Sequence, residues 1–161
     1  HYEIRAALDG LAARRAAERC AGSKQLAAEV EDGGAAKIAA GRSAIAKASI
    51  SQMVASDLAF HAFIYEMSGN PLLAPTAALH WRQLRRVMGE VLRKAEPPES
   101  IWRQHAAILD AIVRGDAERA EAEAIAHVET AAARLERALV PASADQTGGM
   151  EKPKSQRAAR S

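Results

Sequence analysis

Apolar residues recur at intervals of three and four along most of the chain, the spacing that lines one face of an α-helix. The first run covers Tyr2 to Cys20, with Ile4, Leu8, Leu11 and Ala12 as its stripe. Gly22-Ser23 interrupts it, and Ser23 is placed to cap the helix that follows. That second run covers Lys24 to Asp32, and Gly33-Gly34 predicts a break. From Ala35 to Lys47 the spacing is too loose to fix helix ends. Ile50 to Met67 reads clearly, with Ile50, Val54, Leu58 and Ile64 on one face and Ser68-Gly69-Asn70-Pro71 as its stop. A helix from Leu72 to Lys94 follows, carrying Leu73, Leu79, Leu84, Val87 and Val91, and Pro97-Pro98 ends it. Ile101, Ile108, Leu109 and Ile112 form the next stripe, closed by Gly115. Asp116 then caps a last helix, Ala117 to Leu139, before Pro141. The pattern predicts an all-α antiparallel bundle of about six or seven helices, with no strand signal and no fixed repeat. Residues 1–140 read as one helical domain, and residues 141–161 as a polar, disordered basic tail.

Composition narrows the class. The 161 residues suit one domain with a real core. Aromatic residues are only 4%, which argues against a β-sandwich and against an RNA module that stacks bases. The sequence pI of about 8.9 invites a nucleic-acid reading. Yet the excess positive charge sits in the last eleven residues, 151–161, where Lys152, Lys154, Arg157 and Arg160 face Glu151 alone. The body lacks the basic footprint of a duplex-binding surface. The single cysteine, Cys20, excludes an intrachain disulfide and fits a reducing, cytoplasmic setting. No apolar run approaches the roughly 20 residues that span a membrane, and no signal peptide is legible. Because the chain begins with His1 rather than Met, the expectation is a piece of a longer protein with an upstream domain.

The histidines are the informative residues. Asp57 and His61 are spaced i, i+4, so one helix face holds both. His105 lies one turn after Ile101 and beside Ile108 and Leu109. His127 is in the middle of the last helix, beside Val128. Three helices are thereby able to aim imidazole and carboxylate into one interior. Neutral imidazole and carboxylate suit a divalent transition metal: zinc first, with nickel, manganese and iron as alternatives. By spacing alone, the same residues also suit a surface ion pair and ordinary core histidines, so both readings stand at this level. His80, next to Trp81, reads as no ligand, and Trp81 and Trp102 read as core or interface residues. Arg82, Arg85 and Arg86 read as a solvated helix face.

Four segments together resemble the effector-binding FCD domain, the C-terminal half of FadR-like regulators in the GntR family. They are Tyr2 to Arg14, Asp57-Leu58-Ala59-Phe60-His61 with Ser68-Gly69-Asn70-Pro71-Leu72-Leu73, His105 to Ile112 with Gly115-Asp116, and Ala120 to His127. Their order and spacing agree over residues 2 to about 139. The resemblance implies a helical bundle that holds one metal on Asp57, His61, His105 and His127. It implies a small carboxylate or sugar acid bound beside the metal. It also implies a homodimer that controls winged-helix DNA-binding domains, so DNA is met only through a domain outside this sequence. Arg5 matches a position near the family's pocket and is a candidate carboxylate clamp. Its other reading is a helix-surface arginine paired with Asp9 at i+4. Asn70 is a second candidate pocket residue, although its place at a helix end favours a role in the stop. Two departures stand out. Asp9 replaces the glutamate of the family's Leu-Glu-Gly, and Asp32 to Ile50 matches poorly.

The function expected is therefore ligand sensing and dimerisation in a transcription regulator, without catalysis. A helical metal-dependent hydrolase is one alternative, and Glu123 is the only general-base candidate near His127. A metal-free oligomerisation module is the other.

Overall fold

The computed structural model describes residues 2–81 and 98–139. Among these residues there are six helices and no strand: α1 (Tyr2–Ala21), α2 (Lys24–Ala46), α3 (Ile50–Met67), α4 (residues 73–81), α5 (Glu99–Val113) and α6 (Ala117–Leu139). The far end of the helix expected to reach Lys94, the arginine group Arg82, Arg85 and Arg86, and the tail after Pro141 lie outside the described residues.

The turn signals act as their chemistry dictates. Ser23 Oγ accepts from the Leu26 N–H at 3.2 Å and starts α2. Ser49 Oγ accepts from Gln52 at 3.4 Å and starts α3. Asp116 Oδ1 accepts from the Arg119 N–H at 3.1 Å and starts α6. Gly69 (φ 71°) and Gly115 (φ 73°) take the left-handed conformation that ends α3 and α5.

Gly33-Gly34 does not break the chain: α2 runs through both residues without interruption. The reason is packing. The buried face of α2 is Val30, Gly34, Ile38, Gly41 and Ala44. A Cβ on Gly34 would collide with the Leu109 side chain, and one on Gly41 would collide with the Trp102 ring. These glycines let α5 lie close against α2. Tertiary contact offsets their poor helix propensity of about 1 kcal/mol each.

Helix α1 also differs from its expected stripe. Ile4 is 51% and Leu11 40% exposed, whereas the buried face is Arg5, Ala6, Asp9, Gly10, Ala12, Ala13, Ala16, Ala17 and Cys20. Helix α1 packs most extensively on α6 and also touches α2, α3 and α5. A helix surrounded on several sides must present small residues, and its large ones are left for the outside. The same rotation holds in α3. Ile50, Val54 and Leu58 are only half-buried, and the inward face is Met53, Asp57, Phe60, His61, Ile64 and Tyr65. The polar side chains of α1 and α3 therefore meet inside the bundle.

Candidate metal centre

Asp57 and His61 come from α3, His105 from α5 and His127 from α6, and all four are buried. One possible ligand atom from each lies within 4.8 Å of all the others. His105 Nε2 is 3.3 Å from Asp57 Oδ1 and 3.3 Å from His127 Nε2, and His61 Nε2 is 3.8 Å from Asp57 Oδ1. Ligands about 2.0–2.2 Å from one ion must lie within roughly 4.4 Å of each other, so these three separations fit shared coordination. The widest spread requires only a small inward adjustment.

The donor set also carries an unmet need. Both oxygens of Asp57 are buried and lack a hydrogen-bond partner. His105 approaches Oδ1 at ion-pair distance without hydrogen-bond geometry. Buried carboxylate oxygens without donors are costly, and a cation is the natural partner. The residues therefore fit a divalent transition metal.

The imidazoles of His105 and His127 are held ready as neutral ligands. His105 is fully buried, stacked on Phe60 with ring centroids 4.2 Å apart and met edge-on by Trp102 at 4.8 Å. Burial pushes its pKa down, against the pull of Asp57. Burial, reinforced by the other two imidazoles, pushes His127 well below its ordinary value. His127 Nδ1 lies 2.8 Å from Gln104 Oε1, which can only accept, so the proton sits on Nδ1 and the Nε2 lone pair faces the cluster. Burial alone would raise Asp57, but His105, His61 and Arg5 together hold it well below the usual carboxylate range.

A second layer lies on the α1 side. Arg5 and Asp9 are both buried and form an ion pair at 3.3 Å. The i+4 pairing expected for a surface arginine thus exists, but it faces the interior. Arg5 Nη2 contacts His61 Nε2 at 3.1 Å, and its guanidinium lies 4.2 Å from the centroid of the Trp81 ring. Asp9 also faces His61 Nδ1 at 3.3 Å and accepts the Tyr65 hydroxyl. Burial would raise the Asp9 carboxyl, but His61 and Arg5 bring it to about 2. The Tyr65 hydroxyl is pushed up by burial and by Asp9, so it remains a donor. A small cavity is lined by Asp9, Phe60, His61, Tyr65 and Ile108 among others.

Arg5 thus joins the four-residue cluster. Asn70 takes a different position: its side chain accepts from the Leu72 N–H at 3.0 Å in the turn after α3, and it borders an open depression with Arg15 and Arg19. The helix stop itself belongs to Gly69. Glu123 is paired with Arg119 at 3.6 Å on a partly exposed face of α6. Sequence reasoning missed Tyr65 and Gln104. Tyr65 was findable at i+4 from His61, while nothing in the spacing separates Gln104 from its neighbours.

Compared with known families, the chain matches the FCD domain over residues 1–130. The chain belongs to the FCD family. This is the C-terminal effector-binding domain of GntR-family regulators, which are not enzymes and which use the domain to bind small molecules. No match is found among curated proteins. Among the described residues of this FCD domain, no helix is long and apolar enough to cross a membrane.

Proposed function

We propose that this FCD domain is the sensor of a cytoplasmic transcription regulator. It holds one divalent transition metal on Asp57, His61, His105 and His127, and it binds a small organic acid beside that metal. Residues 1–140 form the sensor and residues 141–161 a basic tail. The effector shifts how a homodimer presents upstream winged-helix domains to DNA. The observation that carries the reading is the convergence of four buried ligand atoms from three helices, with Asp57 left without donors.

Charge supports a carboxylate as the effector. With neutral imidazoles, the two buried carboxylates Asp9 and Asp57 outweigh Arg5 by one charge. A divalent ion reverses the excess to one positive charge, which a single carboxylate cancels. Such burial is tolerable only when charges are paired. The metal, when bound, supplies Lewis acidity to polarise and orient the acid. Arg5 supplies the planar fork that matches a carboxylate. Asn70 is the weaker candidate, because its side chain is already engaged in its turn.

Elemental mass spectrometry before and after chelation tests the site, and a thermal-shift screen of carboxylates tests the effector. The expected result is about one transition metal per chain, lost on chelation, and metal-dependent stabilisation by monocarboxylates above dicarboxylates. A chain that takes up no zinc, nickel or manganese overturns the metal reading. Turnover of the acid in place of simple binding would favour the hydrolase alternative.

A further inference from the structure

We infer that Asp9 is a positioning residue that ties the metal-binding half of the site to the effector-binding half. The roles of those two halves rest on the function proposed above.

A guanidinium has donors only, so the 3.1 Å contact from Arg5 Nη2 makes His61 Nε2 the acceptor. The imidazole proton therefore sits on Nδ1, which faces Asp9 Oδ2 at 3.3 Å. Asp9 thus stands behind the nitrogen opposite the cluster, and together with Arg5 it fixes which lone pair His61 presents to a metal. A carboxylate in this position orients a ligating imidazole and raises its basicity. Gln104 stands in the same relation to His127, but as a neutral amide. His61 alone is backed by a charge.

The same carboxylate also sets Arg5. Asp9 Oδ2 receives Arg5 Nε at 3.3 Å, and Trp81 stacks against the guanidinium. Tyr65 donates to the other oxygen and holds the carboxylate in place from α3. Arg5 and a metal compete for one lone pair, that of His61 Nε2. When a metal takes it, the Arg5 donor is released while Nε stays anchored on Asp9. A freed donor beside the ion is where an effector oxygen would be received. Metal and acid affinities are therefore coupled through this residue, and the coupling is reciprocal.

The test compares wild type with Asp9→Asn, Asp9→Glu and Tyr65→Phe. Zinc affinity is read by chelator competition, and histidine tautomers by nitrogen-15 NMR, with His61→Gln to assign the signal. Asp9→Asn is expected to weaken zinc binding about 10–100-fold at unchanged helicity and, because it also loosens Arg5, to lower the share of His61 protonated on Nδ1. Asp9→Glu is expected to recover part of the affinity, and Tyr65→Phe, which frees only one oxygen of the carboxylate, to cost less zinc affinity than Asp9→Asn. Wild-type zinc affinity in a folded Asp9→Asn protein overturns the inference. If that variant does not fold, the metal-free wild type and Asp9→Glu decide: a His61 proton on Nε2 in the wild type, or an Nδ1 signal that is unchanged in Asp9→Glu, overturns the inference, and an Nδ1 proton whose signal moves with the displaced carboxylate supports it. A wild type that binds none of zinc, nickel and manganese refutes the proposed metal site, while the tautomer still reports on the Asp9–His61 link.

Discussion

At the scale of single residues, His105 concentrates the question of structure against function. It is among the largest fully buried side chains, held between Phe60 and Trp102, and its Nδ1 has no partner. Packing fixes its ring, and no hydrogen bond at Nδ1 does. His105→Ala should therefore act twice. It should cost about 2–4 kcal/mol through the cavity alone, with or without metal. It should also abolish the extra stability that zinc confers, because a ligand bound only to the folded state stabilises it. Melting curves with zinc and with chelator separate the two effects. A zinc-dependent shift that survives in His105→Ala removes His105 from the site. Spacing and apolar neighbours made the four cluster residues candidates, and the family resemblance chose among the readings open to them. The layer behind them was not, because Asp9 meets both His61 and Tyr65 from across a helix interface, and sequence spacing does not fix facing.

At the scale of elements, close approach governs the helices around the cluster. Propensity alone says that Gly41→Ala should stabilise α2 by about 1 kcal/mol. The collision with Trp102 says the opposite, since overpacking costs roughly 1–3 kcal/mol. We expect a net loss in thermal melting. Because Trp102 meets His105 edge-on, weaker zinc binding should accompany it. A stabilised Gly41→Ala would show that α2 and α5 are not held this close. The turn before α3 offers the reverse case. Ala48 has φ 50°, in the left-handed region that costs a non-glycine residue roughly 1–2 kcal/mol. Ala48→Gly should relieve that strain and return part of the gain as unfolded-state entropy, for a net increase of about 0.5–1 kcal/mol. A lower melting temperature in this variant would refute the strained turn. The caps and stops were readable locally because a hydroxyl, a carboxylate or a positive φ acts within a few residues. The glycine pair inside α2 was misread because its partners, Phe63 and Leu109, are remote in sequence.

At the scale of the whole molecule, the buried histidines set how the fold responds to pH. The pKa values of His105 and His127 lie below the ordinary 6.5. As pH falls through that value, the unfolded chain takes up protons that the folded chain refuses, so metal-free stability should fall below about pH 6.5. Asp9 works in a lower window. Its carboxyl is held at about 2, so its contribution is present above the ordinary carboxylate pKa and is lost as pH drops towards 2. Melting temperatures of the chelated protein from pH 8 to pH 5 check the histidine part. A flat profile would mean that those imidazoles titrate freely in the folded state.

Legible along the chain were the helical class, the positions of most helix ends, the four candidate ligands and the family. Each of these follows from short-range chemistry or from motif order along the chain. Only the tertiary structure decided which faces of α1 and α3 turn inward, that α2 continues through Gly33-Gly34, and that Arg5 and Asp9 form a buried pair against His61. A periodic stripe shows that a helix has a preferred face. Which face is buried depends on how closely several neighbours must approach at once, and in α1 the small residues win that competition over Ile4 and Leu11.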